Sequence, residues 1–253
     1  MAGNTSVPGA TVVARTIALL AAFDEAHPRL TLTELSHRAD LPLTTAHRLV
    51  NELTKAGALT RTSNGYVVGQ RLWQLGTLAP VQTDLRRLAS PFLHDLYAGT
   101  LATVHLGVRD KLKVLYLDRI SGQRSVPVVS EIGSHLPLHA TGVGKVLLAH
   151  APEALRREAL QKLDRVTAYT ITQPAQLAKQ LDRIIEDGYA TTYEEMSLGA
   201  CSVAVPIRHN ESVVASLGVV VPSLKRDKVR LVSALRVAAH GIERSLSSGV
   251  THP

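Results

Sequence analysis

The residues best suited to reading another molecule stand in the segment PLTTAHRLVNELTKAG, residues 42–57. An arginine can hold a guanine edge with two parallel hydrogen bonds, and a threonine can bond a base edge or touch a thymine methyl. Arg48 follows Thr44, Thr45 and His47 within about one helical turn, and Thr45 and Arg48, three apart, share a face. Ala46, Leu49 and Val50 turn the other way, toward a core. Pro42 suits the start of a helix, whose unpaired amides attract a phosphate. Arg61 and the Asn64–Gly65 pair would follow the backbone or the adjacent minor groove, and Thr33 completes the candidate DNA contacts. A helical bundle with a solvated polar face would explain each residue singly, but not their order along the chain.

A second chemical segment is HATGVGKVLLAH, residues 139–150. Its glycines let backbone approach a ligand, and Gly142 to Lys145 leads into a helix whose first amides suit a carboxylate. A turn with structural glycines would read the same way. A phosphate-binding P-loop is excluded, because position 139 is His and position 146 is Val. An enzyme needs a constellation, and none assembles. No G-x-S-x-G elbow occurs. His135 and His139 straddle Pro137, so they form no helical metal pair and read as surface or loop histidines. Glu194 and Glu195, as neighbours on an extended segment, would point to opposite faces. Cys201, at a strand start, reads as a small buried apolar residue. Neither a metal site nor a cofactor is expected, and the protein reads as a binder rather than an enzyme.

The elements that must position these residues follow from periodicity. Residues 11–24 carry apolar residues at helical spacing. Thr31 stands three residues before Glu34, the pattern of a capping box opening a helix through about Ala39. Pro42 begins a third helix, which Gly57 ends, and two short strands flank Asn64–Gly65 as a hairpin. That order is a winged helix-turn-helix. Helices are predicted over 70–78 and 84–98, interrupted at Pro80 and open to a kink at Pro91. Beyond them strands are predicted over 101–108, 113–118, 125–129, 202–207 and 213–221, the last two joined at His209–Asn210. Helices are predicted over 143–150, 152–163, 174–187 and 225–246. Strand pairs with short turns and helices packed on them indicate a second, α+β domain built on an antiparallel sheet.

Composition agrees with this division. The 253 residues suit one small and one medium domain, and 45% hydrophobic residues suffice for two cores. A formal charge of +7 favours anionic partners. A single cysteine suits a reducing compartment, and MAGNTSVPGA lacks the pattern of a secretory signal, so a cytoplasmic protein without a membrane span is expected.

With these residues placed, the chain resembles the IclR family of bacterial transcriptional regulators along nearly its whole length. The match runs through ARTIALLAAF, TLTELSHRADLPLTTAHRLVNELTKAGALTR and NGYVVGQRLWQLG, then DRISGQRSV, LPLHATGVGKVLLA and GYATTYEEMSLGACSVAVP. The resemblance implies a winged-helix DNA-binding domain over 8–69, a dimerising linker helix over 70–86 and a GAF-like effector domain over 87–249. It implies a homo-oligomer, dimer or tetramer, that binds a pseudo-palindromic operator and a small-molecule effector, with repression as the expected sense. The family's DNA contacts fall on Pro42, Thr44, Thr45 and Arg48, while a residue often basic after that proline is Leu43 here. The family's ligand positions fall on Val128, Leu136, Gly142, Val143, Thr192, Ala200, Ser202, Gly218 and Val220. Members binding small oxoacids often carry serines where this chain has Gly218 and Val220, which implies a roomier, more apolar pocket for an aromatic or aliphatic carboxylic acid.

Overall fold

In a computed structural model of the chain, which describes residues 11–24, 26–77, 83–122 and 125–248, the capping box at Thr31 is closed. The Glu34 amide donates to Thr31 Oγ1 at 3.3 Å, and Glu34 Oε2 accepts from the Thr31 amide at 2.7 Å. This box starts helix α2 (Leu32–Arg38), which follows α1 (Val12–Leu20) and a short strand β1 (Arg29–Leu30). Ala39 ends α2, Asp40 adopts a left-handed φ of 50°, and Pro42 caps α3 (Leu43–Lys55). Strands β2 (Leu59–Thr62) and β3 (Gly65–Val68) form the wing, with β1 added on the far edge of β3. Leu19, Leu30, Leu35, Ala46, Leu49, Val50, Leu59 and Tyr66 make the core of this first unit. Helix α4 (Gln70–Thr77) closes it.

The wing differs from expectation by one residue. Thr62 pairs with Gly65, so Ser63 and Asn64 form the turn and Gly65 opens the return strand. Packing against β1 explains the shift. A Cβ on Gly65 would lie 2.5 Å from the Leu30 carbonyl oxygen, and its φ of 129° suits only glycine.

The chain divides into two compact units, Met1–Val81 and Gln82–Pro253. The second unit begins with α5 (Thr83–Thr100), a helix that continues through Pro91. The expected break at Pro80 lies outside the described residues. Strands β4 (Thr103–Asp110), β5 (Lys113–Ile120), β6 (His135–Pro137), β7 (Ala190–Tyr193), β8 (Cys201–His209) and β9 (Ser212–Val221) form an antiparallel sheet in the order β6-β5-β4-β9-β8-β7. One face packs on α5 and on α9 (Lys228–Ser248) through Leu93, Leu96, Leu106, Leu217, Leu235 and Ile242. The other packs on α6 (Gly142–Ala149), α7 (Glu153–Gln161) and α8 (Pro174–Asp187). Every residue of α6 is buried, which fits a helix apolar nearly all round.

The strand expected at 125–129 does not form. Pro127 cannot donate to a ladder, and β6, a strand missed by pattern reading, takes the sheet edge beside β5 instead. The β8–β9 turn sits on Asn210 and Glu211, both at positive φ, rather than on His209–Asn210. Among the described residues no helix is long and apolar enough to cross a membrane.

Candidate functional site

Helix α3 divides as its sequence requires. Ala46 and Val50 are fully buried, while Thr44, His47 and Arg48 are exposed and Thr45 is half-buried. Pro42 is half-buried at the helix start, and Thr33 is exposed in the first turn of α2. Arg61 and Asn64 are exposed on the wing. Asn51 escaped sequence reading. It stands one turn past His47, its amide 3.3 Å from His47 Nε2, and extends the exposed stripe that Thr44 and Arg48 begin. Leu43, where a basic residue is frequent in the resembling family, is exposed and uncharged.

In the second unit the sheet and the start of α6 bound a half-open cavity of about 50 Å³. Val128, Leu136, Gly142, Val143, Thr192, Ala200, Ser202, Gly218 and Val220 all line it. Glycines shape the space. A Cβ on Gly107 would lie 2.8 Å from Val143 Cγ1, and one on Gly218 would lie 2.9 Å from Val143 Cγ2. Val143 therefore seats in a notch that only glycines on β4 and β9 leave open. Thr141 caps α6 by accepting the Gly144 amide at 3.1 Å, and the amides of Gly142 and Val143 make no hydrogen bond among the described residues. Beside them Thr192 Oγ1 and Ser202 Oγ lie 2.6 Å apart.

Pattern reading missed the polar wall opposite. His105 on β4 and Tyr116 on β5 line the cavity with ring centroids 5.0 Å apart, tilted by 56°. His105 Nε2 lies 2.7 Å from Ser130 Oγ, and Arg119 Nη1 donates to the Ser130 carbonyl at 2.9 Å. Burial, with the Arg119 charge nearby, pushes the His105 imidazole down to about 3, so the ring is neutral. Burial likewise raises Tyr116, which stays a phenol. Alternation alone would have placed His105 on this face, since Val104 and Leu106 pack on the other.

Behind the cavity a buried ion pair ties two of its walls together. Lys145 Nζ donates to both carboxylate oxygens of Glu195 at 2.6 and 2.7 Å and to Gln180 Oε1 at 2.7 Å. The lysine side chain is 0% exposed and that of Glu195 5%. Desolvation lowers the lysine and raises the glutamate, and each charge opposes the other's shift. Thr167 donates to the Glu194 carbonyl and Thr170 to the Glu195 carbonyl, each at 2.7 Å, fixing the loop that carries Met196 and Ser197 to the cavity. Glu194 is not extended, as expected from sequence, but left-handed at φ 56°, its carboxylate accepting the Gly199 amide. The two glutamates thus have separate structural partners. His139 is buried rather than superficial, its Nε2 2.9 Å from the Asp164 carbonyl oxygen, while exposed His135 pairs with Asp110. Cys201 is buried, and burial raises its thiol. Among the described residues no three His, Cys, Asp or Glu side chains gather as metal ligands would.

Comparison with known proteins gives the same division. Residues 12–63 match the IclR helix-turn-helix domain, and residues 78–244 match the family described as bacterial transcriptional regulator IclR C-terminal. An IclR homolog from Microbacterium hydrocarbonoxydans, solved as a complex with 4-hydroxybenzoate, superposes with a TM-score of 0.88 at 34% identity, covering 94% of this chain and 100% of that one. The HTH-type transcriptional regulator XynR of Escherichia coli is 32% identical over 246 residues, 92% of this chain and 96% of the relative. The p-hydroxybenzoate hydroxylase transcriptional activator of Acinetobacter baylyi is 31% identical over 202 residues, 77% of this chain and 74% of the relative. These relatives are named as regulators rather than enzymes, and two matched domains with a common order leave no other assignment: the chain belongs to the IclR family of bacterial transcriptional regulators.

Proposed function

We propose that the protein is a ligand-responsive repressor, binding operator DNA through α3 and the wing and a small carboxylic acid through the cavity on α6. The cavity is the observation that carries the ligand half. Its unpaired amides at Gly142 and Val143, flanked by the Thr192 and Ser202 hydroxyls, suit a carboxylate, and its Gly218–Val220 floor suits an apolar body. The 4-hydroxybenzoate complex of the Microbacterium relative supports an aromatic acid in particular. The DNA half rests on Thr44, Thr45, His47 and Arg48 at the start of α3, with Pro42 and Thr33 placed for phosphates and Arg61 and Asn64 on the wing.

The working molecule in this reading is a cytoplasmic homo-oligomer, its two winged helices meeting the half-sites of a pseudo-palindrome. Residues 8–69 serve as the DNA-binding part, 70–86 as the linker and 87–249 as the effector part. Ligand shifts DNA affinity only by binding the DNA-competent and incompetent arrangements unequally. Genomic fragments captured by the purified protein supply the operator, and titration of the protein–operator complex with aromatic acids then tests the whole reading. Release of operator by an acid is expected, and indifference of operator affinity to any bound acid overturns it. A reporter carrying the operator should rise in output with ligand, whereas a fall would assign activation instead.

Arg48→Ala is expected to weaken operator binding by about 1–3 kcal/mol, while binding to random DNA weakens far less. Equal losses on both would make Arg48 a phosphate contact rather than a base reader.

A further inference from the structure

We propose that His105 selects the effector by a hydrogen bond to a hydroxyl at the end of the ligand remote from its carboxylate, so that the cavity prefers para-hydroxylated aromatic acids to unsubstituted ones. This rests on the acid-binding reading above and adds which end of the ligand goes where.

Two polar poles face the cavity. One is the Thr192–Ser202 hydroxyl pair beside Gly142 at the start of α6. The other is the His105 ring, held by Ser130 and packed against Tyr116. The sheet sets their separation. His105 lies on β4 and Ser202 on β8, with β9 between them. His105 is level with Gly218 and Ala204, and Ser202 stands two residues further along β8, so two interstrand spacings of about 4.8 Å and two rises of about 3.4 Å put their Cα atoms roughly 12 Å apart. Between them β9 offers only Gly218, Val219 and Val220 to the cavity, with no polar side chain. A benzene ring bearing polar groups on opposite carbons is flat, rigid and apolar in the middle, which matches that floor. A flexible acid of the same length would lose rotamer freedom on binding.

Pole chemistry fixes the direction. The hydroxyls and the unpaired α6 amides are donors and stabilise an anion. A ring that burial keeps uncharged supplies no counter-charge, but it does pair with a hydroxyl. Ser130 occupies one ring nitrogen, and the second makes no hydrogen bond among the described residues. A ligand lacking the hydroxyl would cover that nitrogen without pairing it, and an unpaired buried polar group is costly.

The test is calorimetric titration of the full-length protein with 4-hydroxybenzoate, 4-methylbenzoate, benzoate and phenol. The methyl compound keeps the shape and loses the hydrogen bond. 4-Hydroxybenzoate should bind about 10- to 100-fold more tightly than 4-methylbenzoate. In His105→Phe that ratio should fall to near one, and in Ser130→Ala, which leaves the ring unheld, it should narrow. The comparison of ligands on the unaltered protein stands even if a variant fails to fold. Equal binding of the two acids by the unaltered protein overturns the His105 assignment and leaves the acid reading intact. Binding of phenol, sensitive to His105→Phe, with no binding of benzoate strikes out the acid reading and keeps His105 as the hydroxyl reader. Failure of all four ligands to bind overturns both.

Discussion

Lys145→Met is expected to destabilise the second unit by about 3–5 kcal/mol, a large part of the roughly 5–15 kcal/mol that holds a domain folded. The reason is the glutamate left behind. Lys145 and Glu195 are both buried, and the ammonium satisfies both carboxylate oxygens and the Gln180 amide oxygen at once. With the lysine gone, Glu195 keeps its charge only by bearing its full desolvation, or takes a proton, toward which burial already pushes it. Either course costs stability at neutral pH. Removing both charges is different, because a buried pair replaced by apolar side chains of similar volume is often neutral. The double variant Lys145→Met, Glu195→Leu should therefore recover most of the loss. Urea unfolding followed by circular dichroism, at pH 7, compares the three chains. A single variant within about 1 kcal/mol of the unaltered protein would show that water or a nearby group compensates Glu195. Losses that simply add in the double variant would show that the two side chains act separately.

That pair also marks where sequence reading stops. Local signals were legible because their partners are local: Thr31 finds Glu34 three residues on, and Pro42 sets the start of α3 by its own ring. Strands β8 and β9 were likewise readable, since each is a long run rich in apolar residues and a short turn joins them. The wing turn slipped by one residue because β1, two residues long and without a pattern of its own, approaches Gly65 from elsewhere in the chain. Strands β6 and β7, three and four residues long, are too short for period-2 alternation to show. Lys145 meets Glu195 across 50 residues, and nothing local announces it. The ligand positions came from family resemblance, not periodicity, and the structure gathers them around one space. What resemblance omitted is the opposite wall. His105 sits in the strand TVHLGVRD, where alternation gives its face but not its role, which shows only once Ser130 and Tyr116 are brought beside it.

The same histidine should make the second unit acid-sensitive. His105 sits near 6.5 when unfolded and is pushed down to about 3 in the fold, chiefly by burial and secondarily by Arg119. Below pH 6.5 the unfolded chain therefore binds a proton that the folded chain refuses. Stability from this group is complete above about pH 6.5 and is lost as pH falls toward 3, at roughly 1.4 kcal/mol per pH unit and on the order of 5 kcal/mol in all. Other groups contribute to the measured profile. His150, lowered by burial, adds to the loss, and Glu195, raised by burial, opposes it. Comparison with His105→Phe removes both, because they are common to the two chains. Urea unfolding at intervals from pH 7.5 to 4.5 should give a steep fall for the unaltered protein and a shallower one for the variant, the gap widening by about 1.4 kcal/mol per unit below pH 6. Parallel profiles would mean that the folded ring accepts a proton readily, through water or movement of Ser130, and would remove the physical basis for a neutral reader in the cavity. A gap that widens as expected would mean that the imidazole is neutral throughout the physiological range. The effector's own charge, not that of the protein, then decides which end of the ligand faces β4.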